Sequence, residues 1–423
     1  MHLAIPHTRV HRTVVYRTLE DLESLRPAWE ELLAEFSGAT TFSTWEWLAP
    51  WWKAFGDGRE LLVLAFFDEF ASLVGLAPLQ ISRRRVAPLV KMRVIGLWGD
   101  GSGDSDNLDF PVREGCEEPV ATALLEFLKK ESKEWDFCEF NTMPAESPVA
   151  SCLGKMLGER RWRSYCDQRA SSAILLPETW EAYLGQLSSK ERGKIAYYQN
   201  RLKKKYCVRF YRCEAGTEIS SCLEALFTLH SKRWQLLEQP GSFELASRRQ
   251  FYHELASLLA AKGELEFWLL ELDAQTVAAQ FGFRHGRTVF QLQEGFDPGY
   301  SADSVGYVLR ALVIEQLISR GVGCYDFLAG EDGSKLRWKA QVGHYTGLQF
   351  APPLTRGSVY LLLIHSANKT KEWLRTRLSS AAWQALHSIN VQLRNRFAKK
   401  ARRKGAVQLC ASSHNLSRSD PAA

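Results

Sequence analysis

The sequence predicts an α/β (α+β) chain made of two tandem copies of one unit. Each copy is a mixed, mostly antiparallel sheet flanked by helices, and a basic helical tail follows. Three observations predict this. Strand-like and helix-like periodicities alternate along the chain. LVLAFFDEFASLVGLAPL (62–79) parallels FWLLELDAQTVAAQFGF (267–283), and a helix followed by WDF (135–137) parallels a helix followed by YDF (325–327). The length of 423 residues, with 45% hydrophobic and 24% charged, is that of an ordinary globular chain with room for two sizeable cores. A repeat this long makes domains rather than a solenoid. The expected boundaries are 14–180, 181–356 and, for the tail, 357–423.

The elements follow in order. Val14–Tyr16 reads as a short strand. Leu22, Leu25, Trp29, Leu32, Leu33 and Phe36 give Asp21–Phe36 a helical stripe, and Thr44–Phe55 is an aromatic-rich helix. Leu61–Phe67 and Ser72–Arg83 read as a hairpin around an acidic turn. Gly99–Asn107 (GDGSGDSDN) is a polar loop, Leu108–Val112 a short strand, Glu117–Lys130 a helix and Trp135–Asn141 a strand. The second half repeats the order. Its helices are Ile219–Glu238 and Arg248–Lys262, and its strands are Leu265–Leu272, Thr276–Arg284 and Thr288–Gly295. A polar loop, Asp297–Ser304, leads to a helix, Val305–Arg320, stopped by Gly321, and then to the strand Cys324–Leu328. Between the halves, Ser188–Lys205 carries seven Lys/Arg and one Glu, with Ile195, Tyr198 and Leu202 at helical spacing. This is either a solvated helix face or a basic wall for an anionic substrate, and charge alone does not separate the two.

The net charge of +6 is unevenly spread. Residues 366–423 hold twelve Lys/Arg against Glu372 and Asp420, a net of +10, so residues 1–365 sum to −4. A mildly acidic body excludes a body-wide nucleic-acid footprint. Seven of the eleven residues from Arg394 to Lys404 are basic, so the tail is either a solvated segment or a contact with an anionic membrane surface or polymer. The nine Cys are scattered singly, with no C-x-x-C and no zinc spacing, so no metal is expected and the thiols read as reduced and structural. Residues 1–17 contain no apolar signal core, and the apolar run 359–364 is far below the ~18–20 residues that span a bilayer. The expected location is cytoplasmic, with membrane association at the inner face through the tail.

Three groups of residues can carry chemistry. The strand VFQLQEGF (289–296) runs through DPGYSADS into a helix starting near Gly306. Backbone N–H groups at a helix start attract anions, Gly306 allows close approach to the backbone, and Ser304 can cap the helix or donate to an oxygen. A plain capped helix is the other reading. The second group is YDFLAG (325–330) followed by Lys335 and Trp338. Ligands of open α/β sheets gather at strand ends, where Asp326 can take a proton and Lys335 can hold a carboxylate or phosphate. A turn or cap for Asp326 and core packing for Trp338 are the alternatives. The third group is His230, Arg233 and Trp234 on one helix face, with a structural histidine as the alternative. There is no Walker motif, no G-x-S-x-G elbow and no H-E-x-x-H, and the 99–103 loop lacks G-x-G-x-x-G.

Taken together, LHSKRW, the 267–283 string, LQEGFDPGYSADSVGYVL and YDFLAGEDGSKLRWKA resemble the GNAT-superfamily acyltransferases of the CelD type, named for cellulose and exopolysaccharide clusters. FSTWEWLAPWW and LVGLAPL extend the resemblance to roughly residues 14–350. The superfamily also includes FemAB-like aminoacyl transferases with two GNAT-like units in tandem. The resemblance implies an acyl-CoA donor such as acetyl-CoA and an amine or hydroxyl acceptor on an amino sugar, glycan or cell-envelope precursor. It implies a pyrophosphate site at Ser304, Val305, Gly306 and Tyr307, although DSVGYV has one Gly where the family's signature has two. The candidate bases are Asp326 and Glu294, with Tyr307 or Tyr325 as acid for the leaving thiolate. His230, Arg233, Trp234, Gln293, Lys335 and Trp338 are the candidates for acceptor binding. The alternatives are an aminoacyl-tRNA donor, the one setting in which nucleic acid is expected, and a non-catalytic accessory protein of polysaccharide assembly.

Overall fold

The computed structural model describes residues 9–214, 218–235, 241–331 and 333–377, apart from the side chains of Arg233 and Gln235. The basic stretch 394–404 lies outside the described residues. The chain forms two units, 1–358 and 359 onward, and the first is described here.

Its strands are β1 (Arg12–Tyr16), β2 (Arg59–Phe67), β3 (Leu73–Ala87), β4 (Val90–Leu97), β5 (Phe137–Pro144) and β6 (Arg163–Leu175) in the first half. Those of the second half are β7 (Val208–Arg212), β8 (Leu265–Leu272), β9 (Gln275–His285), β10 (Thr288–Phe296), β11 (Cys324–Ala329) and β12 (Gln341–Ala351). They make one 12-stranded sheet in the order β1-β2-β3-β4-β5-β12-β6-β11-β10-β9-β8-β7. The duplication is visible in the ladders. β1 to β4 pair antiparallel in sequence and β4 then pairs parallel with β5. β7 to β10 do the same and β10 pairs parallel with β11. The expected mixed, mostly antiparallel sheet is therefore present in both copies.

The two copies exchange strands. β6 follows the first half in the chain but lies against β11 of the second. β12 follows the second half but lies against β5 of the first. β6 and β12 pair with each other from Gln341↔Ala173 to Ala351↔Arg163, which closes the sheet across the middle. The expected division at 180/181 thus divides the chain and not the sheet.

The helices are α1 (Leu19–Glu23), α2 (Arg26–Glu35), α3 (Trp45–Phe55), α4 (Glu117–Lys130), α5 (Pro148–Glu159) and α6 (Trp180–Gln186). They continue with α7 (Ser189–Lys205), α8 (Ile219–Gln235), α9 (Ala246–Ala261), α10 (Val305–Ser319), α11 (Gly333–Arg337) and α12 (Arg356–Arg377). The single helix expected over 21–36 is two, because Pro27 restarts it at the first turn of α2. The strand expected at Leu108–Val112 is only a bridge between Val112 and Gly75. Helix α10 ends as expected, with Gly321 at φ +71°.

Strand alternation gives the second half two separate cores. Leu265, Phe267, Leu269, Phe281 and Phe283 face α8 and α9, where Leu226, Phe227, Phe251 and Leu255 complete one core. Trp268, Leu270, Leu272, Val277 and Val289 face α10, where Val308, Leu309 and Ile314 complete the other. The first core is continuous with that of the first half, through Trp47 against Phe251 and Phe283.

Candidate functional site

β10 and β11 run side by side only from Thr288↔Cys324 to Phe290↔Asp326. Beyond that point both strands are irregular. β10 carries a bulge at Leu292, between Gln291 and Gln293. β11 loses register with β6 between Asp326 and Ala329, where Leu328 has φ +62°. A leucine held in the left-handed region costs on the order of 1 kcal/mol or more, and such strain persists only where surrounding contacts fix it. Asp326 is one such contact, since its carboxylate accepts from the Leu328 N–H at 2.7 Å. The parted strands leave a slot in the sheet, and the candidate residues divide between its two faces.

On the α10 face, a cavity of about 430 Å³ is lined by Glu294, Phe296, Tyr300, Ser304, Gly306, Tyr307, Arg310, Arg337 and Trp338, among others. The short loop from β10 to α10 is pinned from below. Asp303, buried, accepts from Arg201 at 2.7 Å, Lys205 at 3.0 Å and Tyr206 Oη at 2.8 Å. These contacts hold its carboxyl down at about 2, chiefly through the Arg201 hydrogen bond. Arg201 and Lys205, in the last two turns of basic helix α7, therefore brace the loop. Asp297 is similarly held by Lys232 at 2.6 Å and the Gly299 N–H at 2.9 Å.

The helix start differs from the sequence expectation in two respects. Ser304 occupies the cap position with φ +51°, yet its side chain makes no cap bond, because the left-handed backbone turns it away from the first turn. Gly306 also fits the protein's own packing, since a Cβ there would lie a tight 3.2 Å from the Phe296 ring. Tyr307 donates to Glu191 Oε2 at 2.9 Å and packs on Trp338 with 4.6 Å between ring centroids. Burial pushes its phenol up. Glu294 is ion-paired with Arg310, whose guanidinium also lies over Phe327 and Trp338. Tyr325 is fully buried beside Arg310, and burial keeps its phenol protonated well above neutral pH.

On the α8/α9 face sit Asp326, Gln293, His230 and Trp234. Burial raises the Asp326 carboxyl to about 6, with Asp106 adding to the effect and Lys335 opposing it. Gln293 adjoins Tyr252. His230 is buried, accepts from Trp234 Nε1 at 2.9 Å and backs directly onto Gly295 of β10. Its neighbour Arg233 has a side chain outside the described residues. Lys335 bridges to this face, but its ammonium donates to the carbonyls of Ala329 at 2.9 Å and Gly330 at 2.8 Å, so it secures the end of β11.

Sequence reading missed the loop 99–107. It crosses from the first half to this slot. Asp106 accepts from the Ala329 N–H at 3.0 Å, and Asn107 donates to Tyr345 Oη at 3.0 Å. Asp104, buried, accepts from Tyr252 Oη at 3.0 Å and pairs with Arg248 at 3.2 Å. The tryptophans of α3 are its hooks, since Trp47 donates to Ser105 at 3.0 Å and Trp51 to Ser102 at 2.9 Å. The one available signal was that three acids recur among small residues in a segment that cannot bury itself. Arg337 was also missed, although it lines the mouth of the cavity beside Trp338. Among the described residues, no cluster of His, Cys, Asp or Glu could hold a metal ion, and no helix is long and apolar enough to cross a membrane.

Residues 189–340, which include the slot and its cavity, match the family described as acetyltransferase (GNAT) domain. No curated protein matches the chain. The solved structure of FemX has a TM-score of 0.55 at 11% identity, covering 80% of this chain and 96% of FemX. A conserved protein of unknown function from Bacteroides thetaiotaomicron has a TM-score of 0.50 at 15% identity, covering 80% of this chain and all of that one. Both likenesses concern the fold, and both extend across the two halves.

Proposed function

We propose that the chain is an acyltransferase that moves an acyl group from acyl-CoA to an amine or hydroxyl of an amino sugar, glycan or cell-envelope precursor. The observation that carries this reading is the slot. Two parallel strands part within the GNAT-matched segment, and one of them leads through a braced loop to the start of a helix over a cavity. Unpaired N–H groups at that helix start suit a pyrophosphate, and no acidic side chain occupies the first turn of α10. The donor lies on the α10 face and the acceptor on the face of Asp326 and Asp106.

The reaction forms a bond from the acceptor nitrogen or oxygen to the acyl carbon and breaks the C–S bond of the thioester. Holding both reactants in the slot supplies most of the advantage. A bulge leaves its extra residue outside the ladder, so the Leu292 N–H is placed to polarise the thioester carbonyl. Asp326 takes the acceptor's proton, and its raised pKa suits a base that works near neutrality. Tyr307 returns a proton to the leaving thiolate. Glu294, committed to Arg310, shapes the cavity.

Calorimetry with acetyl-CoA and CoA tests the donor. Gly306→Glu would drive a side chain into Phe296, so Arg337→Glu is the better probe. Micromolar binding that Arg337→Glu weakens at least about tenfold, the effect of ~1.4 kcal/mol, supports the reading. Native protein that binds neither ligand removes it. A second reading, an aminoacyl-tRNA donor, is supported by the FemX-like fold across both halves. Binding of charged tRNA without CoA binding would select it.

A further inference from the structure

Helix α12 ends the described chain and carries several exposed large apolar side chains. Val359, Leu362, Leu363 and Trp373 are 54%, 42%, 63% and 56% exposed. With Ser366 and Thr370 between them, they recur at three- and four-residue steps, so they form one stripe along four turns. Single exposed apolar residues need no explanation, but several on one helix face do. Lys371 and Arg375 fall on the opposite side, Lys369 flanks the stripe, and Arg377 continues its line one turn beyond Trp373.

We infer that this face of α12 is a docking surface for an anionic lipid bilayer, with Leu362, Leu363 and Trp373 entering the headgroup layer and the surrounding lysines and arginines held by its phosphates. Two observations choose this occupant. From residue 359 onward the chain carries twelve Lys/Arg against two acids, so a second copy of the segment would be repelled and an anionic surface attracted. The stripe is broken by Ser366 and Thr370, which is too polar for the seam of a helix pair and suits shallow burial at the interface, where tryptophan is also favoured. The helix lies on the membrane and does not cross it. The flanking basic side chains can reach the phosphates while their stems lie along the apolar layer.

The test is co-sedimentation of the full chain with phosphatidylcholine vesicles, with or without phosphatidylglycerol. The expected result is binding to the anionic vesicles, little binding to the neutral ones, and loss of binding as salt rises. Leu363→Asp combined with Trp373→Asp should weaken that binding at least about tenfold, because both apolar anchors are lost. Lys369→Glu combined with Lys371→Glu should weaken it by about fivefold per residue or more. All four positions are exposed, so each variant should melt like the parent. Equal binding to both vesicle types would overturn the inference. So would unchanged binding by the Leu363/Trp373 variant, or a dimer in light scattering that this variant dissociates.

Discussion

The two halves carry the same ladder, but their openings are lined differently. β4 and β5 run parallel at Val94↔Phe137 and Ile95↔Cys138 and then part, as β10 and β11 do. In the first half the opening is filled by side chains. Asn141 donates to Asp100 at 2.8 Å, Gln349 donates to Glu139 at 2.7 Å, and Arg59 bonds Gln80 and the Asp100 carbonyl. The cavity left beside them is about 260 Å³. The connections differ in the same sense. β10 reaches α10 through one short braced loop. β4 reaches α4 through a long segment that departs to wall the other half's slot, and α4 begins with Glu117 and Glu118. Of the two duplicated sheet edges, the one in the second half has the next helix starting at its mouth without acids in the first turn.

The sharpest way to break this comparison is to remove Arg310. Arg310→Ala leaves Glu294 without its guanidinium in the second-half cavity, which should cost about 3 kcal/mol in thermal unfolding and abolish donor binding. The matching change in the first half, Arg59→Ala, should leave donor affinity unchanged in calorimetry. Next in size, Asp326→Asn should lower turnover about 100-fold and remove the acid limb of the rate profile near pH 6. The same change should raise the melting temperature at neutral pH. A carboxyl whose folded pKa lies above its unfolded value holds its proton better when folded, so stability declines as pH rises through that interval. A variant that turns over normally would move the base elsewhere.

Asp303→Asn loosens the brace under α10 and should cost about 1–2 kcal/mol at pH 7. Here the sign is reversed. The carboxyl sits at about 2 in the folded chain, so its contribution is present above the ordinary value of 3.8 and is lost as pH falls through 2. Comparing urea midpoints of parent and variant at pH 7 and pH 3 would show the gap narrowing. The smallest effect sharpens the role of the crossing loop. Asn107→Ala removes one hydrogen bond to Tyr345 and should raise the acceptor KM a few-fold while donor affinity holds, a change of about 1 kcal/mol.

Much of this was legible in the sequence, and the misses at β6, β12 and the crossing loop share a cause. β8 was read end to end because Leu265–Leu272 is buried on both faces and hence mostly apolar, with only Glu266 and Glu271 charged. α10 was read because Gly321 stops it. β6 and β12 were missed because RSYCDQRASSAIL and QVGHYTGLQFA are polar and partly exposed. Their stability comes from pairing with each other, at a separation no local pattern records. The same holds for Asp104 and Asp106, whose partners lie 148 and 223 residues away. Lys335 and Gly306 both lie near the slot, but their partners are backbone carbonyls and a phenyl ring, which spacing cannot reveal.

The exchanged strands also set a timetable for synthesis. While the ribosome is making the second half, the edge of β5 has no neighbour, because β12 is almost the last element of the compact unit to emerge. An open edge is a template for the wrong partner. The polar, charge-bearing sequence of β6 and the Arg84–Glu139 pair beside that edge are the kinds of feature that discourage wrong pairing of an open edge.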